Sequence, residues 1–530
     1  MKTRAPSIKR RPPRLLSAMG ALVGAGMLIP VAYLIIRGSQ AGVSGVAEVV
    51  TDARTMRLLG RTVLLAVAVT TASVVIAAPL AWLTVRTDLP WRGFWTVAAA
   101  LPLVIPSYVA GFAFVAFFGP RGQVQRWLAP LGVERLPEIY GFWGAWLVLT
   151  LFTYPYVLLT VRAAIRGIDP ALEEAAATLD GRRIAQLRVL VPHLKPAIAS
   201  GGLLVALYTF HDFGAVSLLR FDAFTNAIFV QYRSSLNRTN AAILSLILIA
   251  VTTSVVVAEG MTRGKAKYHR LSATGGRRAA VTVRLGIWRW PAFGACVVLG
   301  IFSLVIPFAA IGYWLYRAAI SSDLISIAAL PAWRSIEASA LGTAFCVLAA
   351  KPVAMLVARY PGPLAKVIEA GAFVGHALPG VTVALSLVFF GARYVPILYQ
   401  TRWMLVFAYT VLFMPLAIGG LRASLLQVSP QVEEAAQMLG SSRMGVLRRV
   451  TLPMIRPGIT AAGSLVFLSA MKELPATLMV APIGYSTLAT RVWSATNEVL
   501  YGPAAIYAAG LVMMASVPLG ILLLRDRPIH

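Results

Sequence analysis

Runs of about twenty apolar residues recur along this chain, and they confine what it can become, because that length of helix crosses a hydrocarbon core of roughly 30 Å. The runs lie near 15–36, 62–85, 94–118, 141–166, 197–219 and 240–259. They recur near 291–316, 337–358, 365–391, 403–423, 458–481 and 504–524. The chain is 58% hydrophobic and only 13% charged, against about 25% charged residues in a soluble domain, so much of it can be solvated only by lipid. The pattern predicts an all-α integral membrane protein of about twelve transmembrane helices. The first run follows a basic leader (Lys2, Arg4, Lys9, Arg10, Arg11, Arg14). It exceeds a signal-peptide apolar region, and no Ala-x-Ala site follows it, so we read it as the first spanning helix, retained.

The net charge of +28 suggests a polyanionic partner, but its distribution argues otherwise. Lys and Arg collect in short stretches between apolar blocks, as they do where loops are held on the cytoplasmic side. Aromatics interleaved along a basic groove, the mark of nucleic-acid binding, are missing. With the N-terminus inside, an even number of spans places the C-terminus (Arg525, Asp526, Arg527) inside too. The same holds for the central stretch with Arg263, Lys265, Lys267, Arg270, Arg277, Arg278, Arg284 and Arg289. The expected location is the plasma or inner membrane, multi-pass, with both termini cytoplasmic. Cys296 and Cys346 lie inside apolar blocks and read as small buried hydrophobes.

The two halves superimpose as sequences. Pro79 to Arg86, then Pro90, matches Pro352 to Arg359, then Pro363; Pro106 pairs with Pro379 and Pro155 with Pro415. Both units begin on the same side, so they are parallel six-helix repeats about an axis along the membrane normal, with a path expected between them. The expected units are 1–260 and 288–530, joined by a basic cytoplasmic linker at 261–287.

A cytoplasmic loop is also duplicated. After the fourth block comes Asp169-Pro170, then Glu173-Glu174-Ala175-Ala176, with Asp180-Gly181, Leu187 and Pro192 downstream. After the tenth comes Ser429-Pro430, then Glu433-Glu434-Ala435-Ala436, with Gly440, Leu447, Leu452 and Pro453. Asp169 or Ser429 can cap a helix whose first residue is proline. The acidic pair favours the positive end of the helix dipole. Glycine permits a sharp turn, and Pro192 or Pro453 is expected to interrupt the second helix. Such an element can pass a push from a partner to the spans on either side.

Glu-Ala-Ala-x-x-x-Gly with Leu-Pro about a dozen residues later resembles the coupling motif of binding-protein-dependent ATP-binding-cassette importer permeases. Glu434, Ala435, Ala436, Gly440, Leu452 and Pro453 match it closely. The first copy departs from it, with Asp180 where glycine is expected and Gly181 one residue late. The resemblance covers essentially the whole chain beyond the first block. It implies a type I importer permease fold, with each loop docked on one subunit of a homodimeric ATPase. ATP and Mg would then sit on that partner. This chain has no Gly-x-x-x-x-Gly-Lys-Ser/Thr loop, and no enzyme activity or bound cofactor is expected of it.

The fifth and eleventh blocks place His211-Asp212 and Lys472-Glu473 at equivalent depth. Ionisable groups inside apolar material point either to a substrate route or to a buried structural role, such as pairing with His211, Lys472 or Lys351, or holding backbone amides. The stretches 212–219, Asp222 to Ile228 and 472–478 resemble iron(III) importer permeases, which also fuse two units. That resemblance implies ferric iron delivered by an extracytoplasmic iron(III)-binding protein. The five histidines (193, 211, 269, 376, 530) are scattered, and no metal site is expected in the chain itself. The alternatives are the same machinery carrying thiamine, a phosphonate or a polyamine. An ion-gradient transporter of twelve spans would give no reason for the duplicated loop.

Overall fold

The computed structural model describes residues 12–133, 136–168, 182–234, 238–262, 282–321 and 324–525. The first Glu-Glu-Ala-Ala loop, with Glu173, Glu174, Ala175, Ala176 and Gly181, lies outside the described residues, as does linker segment 263–281. All twelve apolar blocks are helical. Among the described residues, eight helices are long and apolar enough to cross a membrane singly. They are Arg14–Ser39, Ala53–Arg86, Phe142–Gly167, Thr239–Ala258, Gly286–Ile320, Ile327–Arg359, Arg402–Gln427 and Leu447–Met471.

The third and ninth blocks, each expected as a single span, are broken instead, and the breaks obey the repeat, while the twelfth is one helix, Tyr501–Arg525. The third block is a helix Arg92–Ala98, a 3-10 turn Leu101–Val104 and a helix Ser107–Phe118, bent by 97° in the middle. The ninth has the same parts: Pro363–Phe373, a 3-10 turn Val374–Ala377 and Gly380–Tyr394. Pro106 and Pro379 stand at the two breaks in extended conformation. Each lacks the N–H that would continue the helix, and each pushes its predecessor out of the helical region. The fifth and eleventh blocks, expected as single spans, end instead at His211 and Met471. Short helices Gly214–Leu218 and Pro475–Val480 come next.

The units exchange their opening helices. Arg14–Ser39 packs on Pro363–Phe373 and Gly380–Tyr394 of the second unit. Its Gly20 and Gly24 lie against Ile368, close enough that added Cβ atoms would touch it at 3.4–3.5 Å. In lipid, small residues spaced this way let two backbones approach closely, which is where helix association gains its dispersion energy. Ser386 also donates to the Pro30 carbonyl at 2.7 Å. Reciprocally, helix Ile306–Ser321 packs on Ser107–Phe118 of the first unit. The end of the linker is tied to the first unit as well. The Val283 N–H donates to the Arg86 carbonyl at 2.7 Å, and that of Leu285 to the Asp88 carboxylate at 2.9 Å.

Interrupting prolines do less than expected. Helix Arg182–His211 runs through Pro192 and Pro196. Pro453 does not stop its helix either. A widened π turn, Leu447–Thr451, precedes it, and helix Leu452–Met471 continues. A π turn moves the carbonyls by a register, which removes the clash a proline ring makes with the residue four positions back.

Candidate functional site

Both broken pairs meet at the seam between the units. Asp212 follows the end of its helix, and its Oδ1 accepts from the Ala215 and Val216 N–H groups at 2.9 and 3.2 Å, capping Gly214–Leu218. Glu473 does the same in the other unit, accepting from the Ala476 N–H at 3.1 Å to cap Pro475–Val480. Thr225 and Thr477 donate to the Asp212 and Glu473 carbonyls at 2.6 and 2.7 Å. A helix start leaves orphan N–H groups, and inside a membrane only a protein acceptor can satisfy them. The carboxylates therefore hold backbone amides, one of the two roles expected of them, and pairing with Lys351 is not formed. Asp212 is 7% exposed.

Lys472 points across the seam. Its Nζ donates to the Leu103 carbonyl at 3.0 Å, at the break in the third block of the opposite unit. The broken helix strips that carbonyl of its own N–H partner. His211, at the matching position, sits at the end of its helix beside Asp212. No metal-holding group of His, Cys, Asp or Glu is formed among the described residues.

The two carboxylate pockets are reciprocal in size. In the first unit Ser107 opens the helix that packs on the short helix capped by Asp212. The repeat places Gly380 opposite the longer Glu473, and a Cβ there would fall 2.5 Å from Oε1 and 3.0 Å from the Pro475 ring. We expect Gly380→Ser to lower thermal stability by several degrees, since overpacking a tight site costs about 1–3 kcal/mol. Adding Glu473→Asp, which restores the first unit's pairing, should recover most of the loss. No recovery in a thermal-shift measurement would show that the two pockets are not equivalent.

The second Glu-Glu-Ala-Ala loop folds as its residues direct. Ser429 Oγ accepts from the Gln431 N–H at 3.3 Å, Pro430 opens the helix Pro430–Met438, and Glu433 sits in its first turn. The end is a Schellman turn: the Ser441 N–H reaches the Ala436 carbonyl at 3.1 Å, and the Gly440 N–H reaches the Gln437 carbonyl at 3.0 Å. Gly440 adopts φ +87°, which a side chain would strain.

The acidic pair divides its work. Glu434 and Ala435 face solvent. Glu433 turns inward, where the Arg359 guanidinium donates to it at 2.9 Å and the Thr451 hydroxyl at 3.0 Å. Arg359 also donates to the Val428 carbonyl at 3.1 Å. This clasp ties the loop helix to the ends of three others: Leu324–Arg359, Arg402–Gln427 and the one that begins near Thr451 and leads to Glu473. Sequence reasoning used Arg86 and Arg359 only as alignment marks; their shared position at a span end was the missed signal. In the first unit Arg86 likewise donates to the Ile165 carbonyl at 3.2 Å. Outward from the clasp, Met438 and Leu439 are 89% and 87% exposed, an apolar edge held in water.

The family model of binding-protein-dependent transport system inner membrane components matches this chain twice, over residues 70–263 and 350–526. An Fe(3+)-transport system permease protein of Haemophilus influenzae is 34% identical over 97% of this chain and 98% of its own length. A ferric transport system permease protein of Actinobacillus pleuropneumoniae is 22% identical over 79% of this chain and 64% of itself. A sulfate transport system permease protein of Escherichia coli is 26% identical over 42% of this chain, roughly one unit, and 82% of itself.

Proposed function

This chain belongs to the binding-protein-dependent transport system inner membrane components, and from that premise we propose that it is the fused permease of an ATP-binding-cassette importer for iron(III). The observation that carries the cargo is the end-to-end match, over 97% of the chain, to a relative named for Fe(3+) transport. Relatives named for sulfate match only about one unit's length of the chain and at lower identity.

In this reading an extracytoplasmic iron(III)-binding protein delivers the cargo to the outer end of the seam. A homodimeric ATPase, with its own ATP and Mg, receives the two Glu-Glu-Ala-Ala loops on the cytoplasmic side. The basic linker 261–287 lies on that side too, with both termini, because Lys and Arg hold loops there. The exposed edge of Met438, Leu439 and Ala435 is the docking face, and Gly440 sets its angle. By the repeat, Glu173 is the sequence counterpart of Glu433, and Glu174, Ala175, Ala176 and Gly181 dock the second ATPase subunit.

A push on the loop helix travels through the Glu433 clasp into Leu452–Met471. That helix of 20 residues, about 30 Å long, ends beside Lys472 and Glu473 at the seam. Asp212 and Glu473, with His211 and Lys472, line the path and offer hard oxygen atoms to a passing cation. Selectivity belongs to the binding protein.

Reconstitution in proteoliposomes tests the reading. ATP-dependent uptake of radiolabelled iron(III) is expected when the ATPase and the iron-binding protein are both present, and none when either is left out. No uptake at any iron concentration would sink the cargo. The same vesicles supplied with thiamine, phosphonate or polyamine binding proteins would then identify the replacement.

A further inference from the structure

One arginine of the first unit has lost the acid that its counterpart keeps. In the second unit Arg422, seven residues past Pro415, pairs with Glu369 of the broken ninth block. The repeat sets Arg162, seven residues past Pro155, in the place of Arg422, and Thr96 in the place of Glu369. The approach of the two elements survives the change: the Arg162 guanidinium donates to the Thr96 carbonyl at 3.2 Å. The counter-charge does not. Arg162 is only 8% exposed, and its Nε is buried with no hydrogen-bond partner. A guanidinium stays charged even when buried, so one without an acid inside a membrane bundle is costly and marks function.

More positive charge surrounds it. Arg166 lies one turn further along the same helix face, and Arg92 lies one turn before Thr96. Both steps lead to the same end of the bundle, because the Arg86 guanidinium, just ahead of Arg92 in the chain, reaches the Ile165 carbonyl at 3.2 Å. Their counterparts in the second unit are Ala365 and Leu426, so the first unit has two added arginines where it lacks one acid. Arg92 and Arg166 are exposed. No carboxylate pairs with Arg92, Arg162 or Arg166 among the described residues.

The cluster stands at the rim of the apolar belt. Arg162 is five residues from the end of Phe142–Gly167, about 7 Å along its axis. Trp91 and Phe94, flanking Arg92, are 73% and 60% exposed, and Trp91 meets Phe293 of the second unit edge-on at 5.9 Å. Large aromatic rings exposed at a span end mark the level of lipid headgroups. Whatever answers Arg162 must therefore carry negative charge and sit among apolar rings, which an anionic phospholipid does.

We infer that Arg92, Arg162 and Arg166 form a binding site for the headgroup phosphate of an anionic phospholipid, in the leaflet at the end of the bundle that carries the Glu433 loop. Arg92 and Arg166 take the phosphate at the surface, and Arg162 stands behind them as the buried charge that it neutralises. In the second unit the Arg422–Glu369 pair does without a lipid.

Native mass spectrometry of the full chain in maltoside micelles tests the site. Titration with phosphatidylglycerol should leave one tightly retained lipid per chain. Phosphatidylcholine, whose ammonium opposes the arginines, should bind at least about tenfold more weakly. Arg92→Gln with Arg166→Gln should weaken phosphatidylglycerol by at least about tenfold, the loss of two charge-assisted contacts. Thr96→Glu, which restores the acid of the second unit, should also weaken it about tenfold, because the carboxylate neutralises Arg162 and repels the phosphate. Its Tm should be unchanged or higher, since Arg162 then has a partner. Arg37→Gln should leave lipid binding as it is. Equal affinity for the two lipids, or undiminished phosphatidylglycerol binding in the arginine and Thr96→Glu variants, overturns the site. Displacement of the lipid by an equal concentration of glycerol phosphate would assign the arginines to a soluble anion and sink the lipid. The assay needs neither iron nor ATPase, so its failure and the failure of iron uptake are separate results.

Discussion

Replacing Glu433 with alanine should lower ATP-driven iron(III) uptake by roughly thirtyfold while the ATPase still binds. The side chains of Arg359 and Glu433 are 13% and 20% exposed, so the pair is partly buried. Removing one partner of a fully buried pair costs about 3–5 kcal/mol; allowing for the exposure leaves about 2 kcal/mol, which is roughly thirtyfold. The variant keeps its outward docking edge of Met438 and Leu439 and loses the link to Thr451 and Arg359. Binding and transport should therefore separate. Glu433→Gln keeps an acceptor for both donors and should lose only about threefold. Uptake at the normal rate in the alanine variant would remove the clasp from the coupling route. The neighbouring charge makes a different test. Glu434→Lys should damage ATPase binding more than Glu174→Lys, because the second loop carries glycine at the expected turn position and the first carries Asp180 there. Equal damage would show that the unequal turns have no consequence.

Asp212→Asn combined with Glu473→Gln should reduce uptake at least about tenfold without unfolding the protein. The amide oxygens still accept from Ala215, Val216 and Ala476, so the caps survive while both negative charges go. Alanine at either position removes the cap as well and should destabilise by about 1 kcal/mol, visible as a lower Tm. The amide variant thus separates charge from architecture. Normal uptake by it would assign both carboxylates to capping alone, and the cation would need another route.

Much of this was legible in the sequence because it is local. Apolar runs set the helices, and Ser429, Pro430 and Gly440 wrote a helix with its start and stop, whereas Pro106 and Pro379 marked the repeat and not the breaks at which they stand. What the sequence hid is non-local. Apolar character continues past His211 and Met471, so hydropathy cannot register that the helices end there and that Asp212 and Glu473 cap the short helices beyond. Pro453 read as a stop because a proline's clash is local, whereas the π turn that relieves it is held by contacts around Thr451 and Glu433. The exchange of opening helices left no periodic trace: Gly20 and Gly24 announce a close approach, but nothing beside them names Ile368 as the partner.

That exchange imposes a schedule on biosynthesis. The hydrogen bond between Pro30 and Ser386 joins positions 356 apart in the chain. At roughly 5–20 residues per second, helix Arg14–Ser39 waits roughly 20–70 s in the bilayer before its partner is made. Throughout that interval the notch at Gly20 and Gly24 faces lipid or any passing small-residue helix. The unit translated first is therefore finished last, and the interval before Ile368 emerges is when a translation pause or a competing helix would do the most harm.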